Sequence, residues 1–304
     1  MRALSGTTKV LGIIGNPVEH SLSTQIQNAA INASGLDYVY VPFSVTPESL
    51  GAAISGLMAL GVSGFNVTIP HKTAVISYLD ELDESAKCAG AVNTVKLSNG
   101  RLIGYNTDGD GFVSSLAADL DYVIGGCDTI ILIGAGGATR GAVAALCRAG
   151  AGRIVLVNRT FHKAVELAEE MSDRYPNICI ESSLQDQVSD YYLGSASLLV
   201  NTTSMGMNGE RLGFINLLKL PKSAKVYDMV YSPTETLLMQ EAVSTGLTAV
   251  NGLGMLAAQG ELAFSIWTGK TPPKGLMKLV LQSICAPNYN LTKNTVPHSM
   301  PNHS

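Results

Sequence analysis

Apolar positions along this chain come in short runs, parted by polar turns and recurring at helix-length intervals. In the first third, residues 10–14, 38–41 and 64–67 read as strands, the first ended by Gly15-Asn16-Pro17. Residues 23–33 and 47–60 between them read as helices. Ser23 is a candidate N-cap, and Pro47 suits a first helical turn after Thr46. Strands separated by helices predict a mostly parallel sheet. Residues 93–97 and 101–105 flank Ser98-Asn99-Gly100 and read as a hairpin.

A second alternating series starts near Asp128. Its expected strands are 129–133, 153–157, 178–181, 198–201, 226–229 and 249–250, with helices over 138–149 and 162–171. That order predicts a doubly wound, nucleotide-binding layout. Residues 254–268 and 276–284 read as closing helices, and the Asn/Pro-rich tail 286–304 reads as disordered. The chain is therefore expected to be α/β in two domains. Residues 1–110 form the first, completed by helices from 254–285; residues 111–253 form the second, with a cleft between them.

Composition narrows the class without changing this picture. Of 304 residues, 46% are hydrophobic and 14% charged, enough apolar content for a large core. The net charge of -4 argues against a nucleic-acid partner. No apolar run reaches membrane-spanning length, and residues 1–9 are too short and polar for a secretory signal. The five cysteines are scattered and the histidines show no ligand spacing, so no metal is expected. The expected setting is cytoplasmic, the expected partner a small molecule, and a homodimer is admissible.

Two segments carry the chemistry of the second series. Gly134-Ala135-Gly136-Gly137-Ala138-Thr139-Arg140 follows the run 129–133 as strand, glycine turn and helix start. Glycines there let backbone approach a pyrophosphate, and the helix start faces its charge. The third glycine of the usual fingerprint is Thr139 here. The next strand ends in Asn158-Arg159-Thr160, where NAD-binding folds usually carry an acidic residue for the ribose. A neutral residue beside an arginine accommodates a 2′-phosphate, which predicts NADP(H).

The first series carries polar clusters at its strand ends: His20-Ser21-Leu22-Ser23, Asn66-Val67-Thr68-Ile69-Pro70-His71-Lys72, Gly90-Ala91-Val92-Asn93-Thr94 and Asn106-Thr107-Asp108-Gly109. Hydroxyls, amides, one ammonium and one carboxylate suit a small polyhydroxylated substrate. Each cluster also has a structural reading. Ser21 and Ser23 are candidate helix caps, the asparagines candidate turn residues, Lys72 a candidate surface lysine, and Asp108 a candidate cap of the following helix. His71 reads as a neighbour of Lys72 rather than a catalyst.

Taken in order, these segments resemble the shikimate dehydrogenase family, which includes quinate/shikimate dehydrogenases. Asn201-Thr202-Thr203 with Gly206-Met207, residues 228–231 with Pro233 and Thr236, and residues 252–259 extend the likeness over roughly residues 10–285. The resemblance implies that Ser21, Ser23, Asn66, Thr68, Asn93, Asp108 and Gln259 hold the substrate, with Tyr231 beside it. Lys72 and Asp108 are implied as the catalytic pair. Gly134, Ala135, Gly136, Gly137 and Ala138 are implied at the pyrophosphate. Asn158, Arg159 and Thr160 are implied at the 2′-phosphate, with Lys163 where a second arginine is common. Backbone near Met205 and Gly252 is implied at the nicotinamide. Thr24 stands where proline is usual and Gln27 where histidine is common. Neither replaces an implied ligand.

The implied reaction is the NADP-dependent, reversible reduction of 3-dehydroshikimate to shikimate. The alternatives are a quinate/shikimate enzyme with broader substrate and cofactor use, and a non-catalytic module that senses NADP.

Overall fold

The computed structural model describes residues 4–285. The expectation for the tail 286–304 falls outside them.

The first lobe opens with β1 (Lys9–Gly15), α1 (Ser23–Ala33), β2 (Tyr38–Ser44), α2 (Leu50–Ala59) and β3 (Gly64–Val67). It continues through β4 (Glu81–Leu82), α3 (Glu84–Ala89), β5 (Thr94–Ser98) and β6 (Arg101–Tyr105). The six strands form one sheet in the order β2-β1-β3-β5-β6-β4. β1 pairs parallel with β2 and β3, whereas β5 runs antiparallel to both its neighbours. The β5–β6 hairpin turns through Asn99 and Gly100, both in the left-handed region, which matches the twist of the paired strands.

The second lobe begins beyond α4 (Asp108–Leu120) with β7 (Thr129–Ile133), α5 (Gly137–Arg148), β8 (Arg153–Asn158), α6 (Phe161–Arg174) and β9 (Cys179–Leu184). α7 (Asp190–Ser195), β10 (Leu198–Asn201), β11 (Lys225–Asp228), α8 (Leu237–Ser244) and β12 (Thr248–Asn251) follow. The sheet order is β12-β11-β10-β7-β8-β9, all parallel. That is the doubly wound order, with its switch between β7 and β10.

Burial explains why β7 and β8 read as unbroken apolar runs. A parallel strand covered by helices on both faces must be apolar on both. Ile130 and Leu132 of β7 join Ile154 and Leu156 of β8 in one buried cluster. Ile131, Ile133, Val155 and Val157 lie in the cluster on the opposite face.

The chain then returns to the first lobe in α9 (Leu253–Thr268) and α10 (Leu276–Cys285). Phe264, Trp267, Met277 and Leu281 pack with Leu11, Ile13, Ile26 and Tyr40. The Trp267 indole N–H donates to the Val95 carbonyl at 2.9 Å, fixing α9 to β5. α4 and α9 lie along one another, and Lys278 of α10 pairs with Asp119 of α4.

Some local expectations are corrected. Ser23 is the first residue of α1 and does not cap it; Leu22 holds the cap position, and the Ser23 amide donates to the Ser21 hydroxyl at 3.3 Å. Pro47 starts a short 3-10 turn, Pro47–Ser49, that runs into α2. Asp108 begins α4 but does not cap it, because its carboxylate is turned toward Lys72 and Asn93. The strand expected at 178–181 runs over Cys179–Leu184 instead.

Candidate active site

The C-terminal ends of β1 and β3 face those of β10 and β11 across a cleft of about 1000 Å³. Ser21, Ser23, Asn66, Thr68, Lys72, Asn93 and Asp108 line it from the first lobe. Ala138, Thr202, Tyr231 and Gly252 line it from the second lobe's strand ends and the segments after them, and Gln259 lines it from α9. A second hollow of about 490 Å³ between α6 and β9 carries Glu169, Asp173 and Glu181 but none of the expected set.

Lys72 and Asp108 meet in the cleft. The Lys72 ammonium donates to Asp108 Oδ2 at 2.6 Å, with side chains 31% and 16% exposed. Lys72 sits on the loop after β3, where its carbonyl accepts the Val92 amide at 2.8 Å. Asp108 is presented by the first turn of α4. Its other oxygen, Oδ1, accepts from the Asn93 amide at 2.8 Å. Asn93 also donates to the Thr107 hydroxyl at 2.9 Å and accepts the Thr107 backbone N–H at 2.8 Å.

His71 lies beside this pair and points away from it. It is buried, and Nε2 lies 2.6 Å from the Val45 carbonyl. A carbonyl only accepts, so Nε2 carries the proton and His71 ties loop to loop.

Asn66 lines the cleft and is tied into its wall. Its Oδ1 accepts the Tyr40 hydroxyl at 2.6 Å. Its Nδ2 donates to the Asn93 carbonyl and to the Thr94 hydroxyl, each at 3.0 Å. Both amide hydrogens are committed inside the protein.

Gln259 is buried, with its amide donating to Leu256 one turn back at 2.8 Å. Tyr231 is half-buried, and burial pushes its phenol up from the usual range. Gln27, the histidine departure, is wholly buried, and its amide donates to the Gly260 carbonyl of α9 at 2.9 Å.

In the second lobe the glycine turn leaves β7 at Gly134, whose φ of +124° favours glycine. A Cβ there would sit 2.5 Å from the Thr202 hydroxyl. Thr139, in the third glycine position, is a tie. Its hydroxyl accepts the Gly136 N–H at 3.2 Å and meets the Thr202 hydroxyl at 2.6 Å. Thr202 in turn donates to the Ile133 carbonyl at 2.7 Å, so Thr139 is the donor to Thr202. Gly136, Gly137 and Ala138 remain exposed at the helix start. Beside them, at the end of β8, Asn158 donates to the Thr160 carbonyl at 2.8 Å, while Arg159 and Lys163 stand exposed.

The residues that sequence reasoning missed brace the second lobe's cleft wall. Asp228 is fully buried and accepts from Asn201 at 2.9 Å, from the Val230 N–H at 3.0 Å and from Thr236 at 2.6 Å. Burial still pushes its carboxyl up from the usual range. Asn201 also donates to the Met205 carbonyl at 2.9 Å. The Met205 side chain packs onto the apolar face of the second sheet, and Met207 lines the cleft. Only the order of Asn201, Asp228 and Thr236 along the chain hinted at this cluster.

Three family models match in chain order. They are the shikimate dehydrogenase substrate binding domain over residues 13–95, shikimate / quinate 5-dehydrogenase over 124–192, and the shikimate 5'-dehydrogenase C-terminal domain over 252–282. A shikimate dehydrogenase (NADP(+)) of Geobacter metallireducens is 49% identical over 276 residues, covering 90% of this chain and 96% of that protein. The chain belongs to the shikimate dehydrogenase family. Solved structures agree with that membership. A shikimate dehydrogenase crystallised with NADP+ matches with a TM-score of 0.85 and 40% identity, covering 93% of this chain and 98% of that one. The shikimate 5-dehydrogenase of Listeria monocytogenes, solved with shikimate and NAD, matches with a TM-score of 0.87 and 32% identity, over 92% and 99%. Among the described residues, no helix is long and apolar enough to cross a membrane, and no cluster suits a metal ion.

Proposed function

We propose that this chain catalyses the NADP-dependent, reversible reduction of 3-dehydroshikimate to shikimate. The observation that carries the reading is the Lys72–Asp108 pair, held at 2.6 Å in a polar cleft that faces the glycine turn across the lobes.

The second lobe's residues fit NADP(H). The exposed first turn of α5 suits a pyrophosphate, and Gly136 and Gly137 would have open space around an added Cβ. Exposed Arg159 and Lys163, with neutral Asn158 at the strand end, suit a 2′-phosphate and offer no carboxylate to repel it. Met207 and the backbone near Met205 and Gly252 are assigned to the nicotinamide end. When bound, NADPH supplies the hydride that reduces the ketone.

The chain's own residues handle orientation and the proton. Ser21, Ser23, Thr68 and Gln259 supply hydrogen bonds to the ring hydroxyls and carboxylate, and Tyr231 closes the side nearest the second lobe. Lys72 has three N–H donors, of which one goes to Asp108 Oδ2. A second is directed at the carbonyl oxygen of the substrate. As that oxygen gains charge, Nζ transfers a proton to it and is left as the neutral amine. In the reverse direction the amine takes the hydroxyl proton. Asp108 fixes Nζ and accepts from a substrate hydroxyl. The five free thiols fit the reducing cytoplasm.

The test follows reduction of the nicotinamide by its absorbance, with shikimate or quinate against NADP or NAD. Fast reduction with shikimate and NADP alone is the expected result. Comparable rates with quinate or NAD would replace the reading with the dual-specificity enzyme. Cofactor binding without turnover in any arm would replace it with the sensor.

A further inference from the structure

A continuous set of buried hydrogen bonds ends on Asp108, and its direction is determined at every link. At one end, the Asn66 amide faces the Asn93 carbonyl, which only accepts, so that face is Nδ2 and the other face is Oδ1. The Tyr40 hydroxyl is therefore the donor to Asn66 at 2.6 Å. Tyr40 is fully buried, and burial pushes its phenol far above the usual range, so it stays a protonated donor. At the other end, Asn93 Oδ1 accepts a backbone N–H from Thr107, which leaves Nδ2 toward Asp108. Thr94 lies between the two amides. Its hydroxyl accepts from Asn66 Nδ2 and donates to Asn93 Oδ1, both at 3.0 Å. Thr94 is completely buried, so no water stands in for the hydroxyl.

We propose that Tyr40, Asn66 and Thr94 are positioning residues whose one-way run of donors, passed through Asn93 to Asp108 Oδ1, holds the carboxylate with Oδ2 against Lys72. The assignment rests on the reading of Lys72 and Asp108 as the catalytic pair. Every link donates toward the negative charge. Such chains polarise one another, and inside a low-dielectric wall each bond restrains its neighbours' rotamers. The run starts in β2, crosses β3 and β5 and ends on α4. It thus sets the position of α4's first turn against the loop that carries Lys72. The role also fits Asn66, whose two amide hydrogens are both committed inside the wall.

The experiment uses the full chain and four variants: Thr94→Val, Thr94→Ser, Lys72→Ala and Asp108→Asn, with Thr94→Val also placed in the Asp108→Asn background. Thr94→Val keeps the shape and removes the hydroxyl. We expect its kcat for shikimate oxidation to fall roughly 10- to 100-fold, the scale of a misplaced reacting group. The KM for shikimate should move only a few-fold, and NADP affinity and a cooperative melting transition should be retained as evidence of folding, the transition itself lying lower because a buried hydroxyl that accepts and donates is lost. Thr94→Ser restores the hydroxyl and should return kcat to within a few-fold of wild type. In the Asp108→Asn background Thr94→Val should add little, because the group it positions is already altered.

Unchanged kcat in Thr94→Val overturns the proposal. Equal loss in the Val and Ser variants, or a full additive loss in the double variant, overturns it as well, because either marks a packing effect. Undiminished turnover in Lys72→Ala overturns the catalytic-pair reading instead. If Thr94→Val unfolds, the Ser variant and Tyr40→Phe, which removes only the first donor, carry the same comparison.

Discussion

The wall around Asp108 and the cradle around Arg159 solve opposite problems. In the first, the run of polar groups that ends on Asp108 Oδ1 is buried and each partner identified, from Tyr40 through Asn93. In the second, the charged groups stand in solvent, and only the backbone is tied down, by Thr139, Thr202 and Asn158. A group that moves a proton must keep one position relative to a reacting atom, and small displacements are costly. A group that grips a phosphate works through charge over a wider range of geometries. Changes at the wall should therefore appear in kcat, and changes at the cradle in KM for the cofactor.

The largest effect should come from Lys72→Ala, with kcat down about 10²–10⁴-fold and a smaller change in shikimate KM. Steady-state kinetics in both directions check this; unchanged turnover would place the proton transfer elsewhere and break the contrast at its centre.

At the cradle, Arg159→Ala should raise KM for NADP roughly tenfold or more and leave any NAD activity as it was, since charge-assisted bonds contribute about 1.5–3 kcal/mol. Parallel titrations with the two cofactors measure it. An equal loss with both would point to a folding defect and not to the phosphate.

Thr139→Val tests whether the cradle's backbone needs its tie. Losing one buried hydroxyl that both accepts and donates should cost about 1–3 kcal/mol in urea denaturation, with a rise in KM for both cofactors. If stability falls and both KM values stay put, the turn holds its shape without Thr139.

The smallest effect concerns the loop that carries Met207. Exposed Glu210 accepts the N–H groups of Gly206 and Asn208 at 2.9 and 3.1 Å; its own backbone N–H first, then the Asn208 side-chain amide and these two N–H groups, lower its carboxyl to about 2. A lowered folded pKa contributes stability that is full above the unfolded value near 4.5 and is lost as pH falls toward 2. Wild type should thus melt slightly above Glu210→Gln at pH 6, the gap closing between about 4.5 and 2. A gap that is independent of pH would assign the effect to packing.

Much of the fold was legible because it depends on local pattern. β7 and β8 show as apolar runs because both faces are buried. The hairpin shows in Asn99-Gly100 because few other residues take that turn. Short elements such as β4 and α3 escaped, being too brief to display a period. Lys72 and Asp108 were legible as chemistry, and their resemblance to a known family pointed to the pairing. Tyr40 was not, because in β2 it looks like any strand aromatic. Nor did the order Asn66, Asn93, Thr94 tell which asparagine faces the cleft chemistry and which supports it.

By itself, the sequence determined the alternation of strands and helices, the glycine turn, the uncharged strand end beside Arg159 and the inventory of polar groups. These follow from neighbours in the chain and from side-chain chemistry. Tertiary structure decided which of those groups are spent. Whether an amide hydrogen is free for a ligand depends on partners such as Tyr40, Thr94 and Thr107, brought in from different strands and loops. Only packing of the first sheet sets those partners within bonding distance, and only the full set of donors and acceptors determines which way each bond points.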